Sequence, residues 1–178
     1  LIEEVGVQGP EGFGHLLFPE IEALLGRHHV TLRDISCFAT ASGPGAFTGV
    51  RIGLTAAKGL AEAAGRKVVA VPNLQALAWL GEGEIRAPYL DARRGEVYGA
   101  VYDSGLACLQ VEVVAKFENW AAQLPTGVGA FTQTGPLAGA IAAIAWQRLE
   151  LGLAEDPAVI DANYVRRSDA ELLWRDRV

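Results

Sequence analysis

Residues 41–59 read Ala-Ser-Gly-Pro-Gly-Ala-Phe-Thr-Gly-Val-Arg-Ile-Gly-Leu-Thr-Ala-Ala-Lys-Gly, and this segment organises our interpretation of the chain. The apolar run at 35–40, just before it, predicts a buried strand. Gly43 and Gly45 then flank Pro44, a combination typical of a turn, because glycine tolerates positive φ and proline fixes its own φ. We therefore expect a strand that ends in a glycine loop.

A helix should follow this loop. Thr48 stands where a helix N-cap is expected, and from Val50 the apolar residues recur at helical spacing. Gly49, Gly53 and Ala57 lie four residues apart on one side, although a glycine inside a helix costs about 1 kcal/mol relative to alanine. Two interpretations stay open: close packing on this protein's own sheet, or a partner helix that lies on the small-residue face.

A glycine loop that opens a helix can also bind phosphate through its backbone N–H groups. The two standard phosphate motifs do not match, because Lys58 lies well inside the helix and Thr48 stands where the dinucleotide fingerprint needs its third glycine. Phosphate binding at this loop therefore stays an alternative.

The rest of the chain predicts an α/β fold that continues into antiparallel strands. A helix is expected at 13–28, where Pro19 lies either in the first turn of a helix starting near Phe18 or at a kink. The helix after the glycine loop should end at Gly65. The other predicted elements are strands at 1–7, 68–71, 86–90, 96–102, 113–117 and 127–131, a helix at 74–80 capped by Asn73, and helices at 118–124 and 137–151. We divide the chain into an N-terminal lobe, 1–84, and a C-terminal lobe, 85–178.

Composition limits the class of protein. The 178 residues are 51% hydrophobic and 20% charged, as in globular domains, and the net charge of −6 disfavours binding of nucleic acid by this chain alone. The apolar run at 138–146 is too short to span a membrane. Cys37 and Cys108 lie far apart with no Cys-x-x-Cys motif, so we expect two reduced core cysteines, no metal site and a cytoplasmic protein.

Groups suited to catalysis are scarce. Asp91 and Glu96 flank a predicted turn and could form a carboxylate pair, although an ion pair within the turn to Arg93 or Arg94 is the preferred interpretation. Ser42 has no histidine near it in sequence and no nucleophile-elbow motif around it.

Three motifs resemble those of the TsaB (YeaZ) family. Residues 42–53 resemble its long glycine signature, and Asp-Ala-Arg-Arg-Gly-Glu-Val-Tyr at 91–98 and Tyr-Val-Arg-Arg-Ser at 164–168 resemble two further motifs in the same order. The resemblance covers roughly residues 13–171. The family's usual opening strand, of the type Ile-Leu-Ala-Ile-Asp-Thr, is not found, so we expect N-terminal strands to be missing from this chain.

The resemblance implies a two-lobed actin-like ATPase fold (ASKHA, ribonuclease H-like) with a degenerate nucleotide site, no cofactor and no metal. It implies a non-catalytic partner of TsaD, the enzyme that adds the threonylcarbamoyl group to the tRNA adenosine next to the anticodon. TsaE would dock on that pair, a homodimer could form when TsaD is absent, tRNA would be contacted only through the complex, and no membrane is involved.

The resemblance also assigns residues. TsaD would bind through the first two helices, at 13–28 and 48–64, with an interface of Leu17, Ile21, Leu24, Gly49, Val50, Gly53, Leu54 and Ala57. The glycine loop comprises Gly43, Pro44, Gly45, Phe47 and Thr48, and the second motif contributes Asp91, Arg93, Glu96 and Tyr98. Two other functions stay open: a nucleotide-binding phosphotransferase of the same fold, and a peptidase-like hydrolase, which would need a zinc cluster or a nucleophile with its base.

Overall fold

The computed structural model describes residues 1–7 and 14–166, and it forms a mixed α/β fold with two sheets. The helices are α1 (Gly14–Arg27), α2 (Phe47–Ala64), α3 (Asn73–Trp79), α4 (Phe117–Ala121) and α5 (Ala138–Glu150). The strands are β1 (Cys37–Gly43), β2 (Lys67–Pro72), β3 (Ile85–Arg93), β4 (Glu96–Asp103), β5 (Cys108–Lys116) and β6 (Ala130–Phe131).

The first sheet is the parallel pair β1 and β2, joined by α2. Cys37 lies opposite Lys67, and the register continues to Ala41 opposite Val71. Helix α2 ends at Gly65, whose φ of 61° is the left-handed conformation that terminates many helices. The predicted strand, glycine loop and helix are therefore confirmed, and the strand after them gives a βαβ unit.

The second sheet has the order β5-β4-β3-β6, with β3, β4 and β5 antiparallel and β6 parallel to β3. The predicted hairpin is confirmed as β3 and β4. Trp120 of α4 is fully buried against this sheet, and its indole lies over Gly99 of β4. The second sheet thus has a core of its own.

Helix α5 packs on the first sheet, although it follows the second one in sequence. Ile141 and Ile144 of α5 belong to one buried cluster with Val69 and Val71 of β2. Arg148 fixes the contact, because its guanidinium donates to the carbonyl oxygen of Ala70 at 2.9 Å. The division at 84/85 stays a prediction, and it separates the sheets but not the helices that cover them.

Helix α1 contributes no buried residue. It runs unbroken through Pro19, so the predicted start near Phe18 is wrong. Phe13 lies outside the described residues. The strand predicted at 1–7 is also wrong, because this segment has no regular structure. Glu3 ties it to the end of α1 through an ion pair with Arg27 (2.7 Å) and a hydrogen bond with His28 (2.6 Å), the next residue.

Three local predictions are corrected. Thr48 is not the N-cap of α2, because the helix begins one residue earlier and Ala46 takes that position. Asn73 is the first residue of α3 and not its cap. Cys108 is exposed at the start of β5, whereas Cys37 is half-buried, and both are free thiols. Burial raises the pKa of the Cys37 thiol.

Candidate functional site

The three sequence motifs meet at one cleft of about 400 Å³. The glycine loop and the start of α2 form one wall, the β3–β4 turn forms the second, and residues 160–166, which we call the tail, form the third. Among the described residues, the lining contains three arginines, Arg93, Arg94 and Arg166, and no carboxylate group.

The glycine loop is shaped by its contact with the tail. The backbone N–H of Asn163 donates to the carbonyl oxygen of Ser42 at 2.7 Å. Gly43 has a φ of +102°, and a Cβ at this position would lie 3.0 Å from the carbonyl oxygen of Asn163. Glycine is therefore required at 43 both by conformation and by space.

The loop continues through a cis peptide bond between Gly43 and Pro44 into α2. Asn73 holds this turn, because its side-chain Nδ2 donates to the carbonyl oxygen of Pro44 at 3.0 Å. No side chain caps the first turn of α2. The N–H groups at the start of this 18-residue helix therefore lie beside the cleft without a capping oxygen from a side chain.

The β3–β4 turn carries two of the arginines in left-handed backbone conformations. Arg93 and Arg94 have φ values of +66° and +57°, and Gly95 follows at +75°. Asp91 stabilises this turn, because its Oδ1 accepts from the backbone N–H of Arg93 at 2.8 Å and its Oδ2 lies 3.5 Å from the Arg93 guanidinium. The preferred interpretation of Asp91, an ion pair within the turn, is confirmed.

The tail connects the two other walls. Arg166 donates to the carbonyl oxygen of Ala92 at 2.8 Å and forms an ion pair with Glu96. Glu96 is thus engaged with the tail and does not pair with Asp91 as a catalytic carboxylate.

An aromatic group lies where the tail meets α2. The rings of Phe47 and Tyr164 are 5.6 Å apart, and the Arg51 guanidinium lies 3.9 Å above the Phe47 ring. Arg51 Nε also donates to the Tyr164 hydroxyl at 2.8 Å. Sequence reasoning noted the Tyr164 motif but gave it no role, and it missed Arg51. The signal available was the Tyr-Val-Arg sequence at 164–166, which became informative only once α2 was placed beside it.

The residues predicted to bind a partner helix do not all lie on the surface. Leu54 and Ala57 are only 5% and 7% exposed, within a core cluster that includes Ile160. A Cβ at Gly53 would lie 3.3 Å from Oγ1 of Thr40 on β1. The small-residue face is therefore explained at Gly53 and Ala57 by packing on this protein's own sheet.

The other predicted interface residues remain accessible. Gly49 is exposed, and a Cβ there would meet nothing closer than Ala46 at 4.0 Å. Leu17, Ile21 and Leu24 on α1 are half-buried, and Val50 is half-buried at the cleft. Whether these residues form an interface stays a prediction.

Residues 1–7 and 14–166 carry no candidate for a metal site or for a membrane span. These residues contain no group of three or more His, Cys, Asp or Glu side chains that could hold a metal ion. Among the same residues, no helix has the length and apolar character needed to cross a membrane.

Comparison with known proteins identifies relatives. The family model described as "TsaD: tRNA N6-adenosine threonylcarbamoyltransferase" matches residues 13–149. The Bacillus subtilis "tRNA threonylcarbamoyladenosine biosynthesis protein TsaB" is 42% identical over 87 residues, which are 47% of this chain and 38% of that protein. The Escherichia coli protein of the same name is 40% identical over 90 residues, 48% of this chain and 39% of that protein. These matches therefore span less than two fifths of either relative.

A solved structure covers more of the chain. YeaZ from Pseudomonas aeruginosa superposes with a TM-score of 0.73 at 26% identity, over 85% of this chain and 84% of that one. This likeness, together with the family match, fits the actin-like fold that the resemblance implies. The degenerate nucleotide site and the missing N-terminal strands stay predictions.

Proposed function

Because this chain belongs to the TsaB (YeaZ) family, we propose that it is a non-catalytic subunit that binds TsaD. The complex would add the threonylcarbamoyl group to the tRNA adenosine next to the anticodon. The names of the relatives support this pathway, since two of them are called threonylcarbamoyladenosine biosynthesis proteins. TsaE would dock on the pair, a homodimer could replace it when TsaD is absent, and the protein would act in the cytoplasm.

The observation that carries the proposal is the apolar face of α1. This 14-residue helix has no buried residue, although Leu16, Leu17, Ile21, Leu24 and Leu25 recur along one side. An amphipathic helix in a soluble protein ordinarily buries its apolar stripe against a neighbour. A helical partner would supply that neighbour.

The adjacent face of α2 would extend the surface. A Cβ at Gly14 would lie 3.3 Å from the Ile52 side chain, so α1 begins directly against α2. The proposed surface comprises the α1 stripe with Gly49 and Ile52, and it excludes Leu54 and Ala57 because they are buried.

A binding experiment tests the surface. We would mix the chain with TsaD and measure the complex by size-exclusion chromatography with light scattering. Ile21→Asp should abolish the heterodimer, since it places a charge in the middle of the stripe. Val111→Asp is the matched control, because Val111 is 72% exposed on β5, outside the surface. Unchanged complex formation by Ile21→Asp, with its melting temperature also unchanged, would refute the interface.

An omission assay tests the role. Labelled threonine, bicarbonate, ATP and unmodified tRNA are incubated with TsaC, TsaD and TsaE, with and without this protein. Label should enter tRNA only when the protein is present, and the protein alone should hydrolyse no ATP. Equal incorporation without it would contradict the proposed role in the pathway.

A further inference from the structure

We propose that the β4–β5 turn and the tail form a two-point lock that holds the two sheets in one fixed orientation. Two packed units that few segments join ordinarily move relative to each other by hinge or shear. In this chain each end of β4 is tied to the first sheet, so the two sheets move as one body. This inference goes beyond the proposed function, because binding of TsaD through α1 and α2 requires no fixed angle between the sheets.

The first tie is Leu106, which lies in the turn between β4 and β5. Its side chain packs against two buried clusters. One cluster contains Val71 of β2 and Ile144 of α5, and the other contains Leu74 of α3 and Tyr98 of β4. Leu106 therefore fills the joint between the core of the first sheet and one face of the second.

The backbone of this turn holds Leu106 in place. Leu106 has a φ of +66°, a left-handed conformation that leucine rarely adopts. The carbonyl oxygen of Asp103 accepts from the backbone N–H of Leu106 at 3.0 Å, and its Oδ1 accepts from the backbone N–H of Ala107 at 2.8 Å. A strained residue persists only where its surroundings determine it, which fits a leucine whose side chain is needed at the joint.

Three hydrogen bonds in series reinforce this tie. Gln75 of α3 donates through Nε2 to the carbonyl oxygen of Leu106 at 3.1 Å. Its Oε1 accepts from Arg148 Nη2 at 2.7 Å, and Arg148 Nη1 donates to the carbonyl oxygen of Ala70 on β2 at 2.9 Å. All three bonds are partly buried, so loss of one member leaves polar groups unpaired away from bulk water.

The second tie is the tail, at the opposite end of β4. Asn163 donates to the carbonyl oxygen of Ser42 on β1 at 2.7 Å, and Arg166 donates to that of Ala92 at the β3–β4 turn at 2.8 Å. Because β4 has eight residues, the two ties lie roughly 24 Å apart. A rotation of about 10° around the tail would displace the β4–β5 turn by about 4 Å, which would break its hydrogen bonds to α3.

Helix α3 opposes the remaining rotation, about the line that joins the two ties. Its Ala76 lies in the cluster formed with α5, and its Leu74 and Ala78 lie in the cluster formed with β4. All three side chains are fully buried. Rotation about that line would therefore open a cavity in one of the two clusters.

The lock is tested by the distance between two spin labels, measured by double electron–electron resonance. The labels are placed at Glu62→Cys on α2 and Glu118→Cys on α4, two exposed positions on the helices that cover the two sheets. The native thiols are removed by Cys37→Ala and Cys108→Ser. Dilution with unlabelled protein ensures that each distance lies within one molecule.

Two variants release the first tie in different ways. Leu106→Gly removes the side chain that joins the clusters, and glycine keeps the positive φ without strain, so the turn stays intact. Gln75→Leu removes the hydrogen bonds in series but keeps a side chain of similar size. Gln123→Leu is the matched control, because Gln123 is exposed and its amide donates to the nearby carbonyl oxygen of Asn119.

The labelled parent protein should give one narrow distance distribution, and Gln123→Leu should leave it unchanged. Leu106→Gly and Gln75→Leu should each broaden the distribution by about 4 Å, the displacement that corresponds to a rotation of about 10°. Far-UV circular dichroism establishes that each variant is folded.

A parent distribution broader than that of a rigid pair of labels would overturn the lock, and this measurement needs no variant at the joint. Retention of the narrow distribution in both folded variants would also overturn it. Because TsaD is absent from these measurements, their outcomes are independent of the heterodimer experiment.

Discussion

The packing of Trp120 on Gly99 gives a quantitative test of the second core. A Cβ at position 99 would lie 2.3 Å from Cε2 of the indole and 2.6 Å from its Cδ2. Carbon atoms pack at about 3.5 Å or more, so Gly99→Ala requires a displacement of roughly 1 Å. The indole has little freedom to move, because it is fully buried with the rings of Tyr89 and Phe117 centred 6.2 and 6.3 Å away.

The expected cost of Gly99→Ala lies at the upper end for overpacking, about 3 kcal/mol of unfolding free energy. For a chain of this size, that corresponds to a fall in melting temperature of roughly 6–12 °C. Urea denaturation at 25 °C measures the free energy, with the m-value checked for constancy. Gly59→Ala is the matched control, since a Cβ there meets nothing within 4 Å in the interior of α2, and it should stabilise by about 0.5–1 kcal/mol.

The double variant separates overpacking from a conformational requirement at position 99. If the clash with the indole is the cause, Gly99→Ala with Trp120→Leu should cost at least about 1 kcal/mol less than the sum of the two single changes. Strict additivity, or a cost of Gly99→Ala below about 1 kcal/mol, would refute the reasoning.

Two further predictions concern the residues that the tail contacts. Gly43→Ala should destabilise by about 2 kcal/mol, because φ is +102° and the new Cβ would press on the Asn163 carbonyl; urea denaturation checks this against Gly129→Ala, where space is open and no change is expected. Burial raises the pKa of Glu112 above its ordinary 4.5, although an accepted hydrogen bond from Asn163 opposes the shift, so the folded protein keeps this proton to higher pH than the unfolded chain. The free energy of unfolding should therefore fall as pH rises from 4.5 through the folded-state pKa of Glu112. Glu112→Gln should remove this pH dependence and raise the stability at neutral pH. A stability difference between variant and wild type that is independent of pH would contradict the role assigned to Glu112.

Local chemistry was sufficient to predict the βαβ unit. Glycine and proline restrict a turn wherever it lies in the fold, so Gly43, Pro44 and Gly65 could be interpreted from their neighbours alone. The error at Thr48 has the same origin, because a threonine is a good cap in isolation. In the structure the tail sets where β1 ends, and the helix then begins at Phe47.

Positions that depend on distant segments could not be predicted. Cys108 lies in a strand as expected, but its exposure follows from the sheet order, which makes β5 an edge strand of the described sheet. The pairing of Arg166 with Glu96 joins residues 70 apart in sequence, and that of Arg51 with Tyr164 joins residues 113 apart. Periodicity carries no information on such pairs, so the arginine lining of the cleft was not predictable.

The glycine signature is better explained by the tail than by a partner helix. The Ser42 carbonyl oxygen accepts a hydrogen bond from the backbone of Asn163, and Gly43 leaves room for the Asn163 carbonyl because it has no side chain. These two contacts fix where the tail crosses the loop. Tyr164 then meets α2, Val165 packs on the buried cluster that contains Leu74 of α3 and Tyr98 of β4, and Arg166 reaches the β3–β4 turn. Three consecutive residues thus join both sheets. A larger residue at 43 would displace the tail and, with it, the wall of the cleft. The loop is therefore an architectural requirement of the cleft, and the surface proposed for TsaD lies next to it, on α1 and on the exposed part of α2.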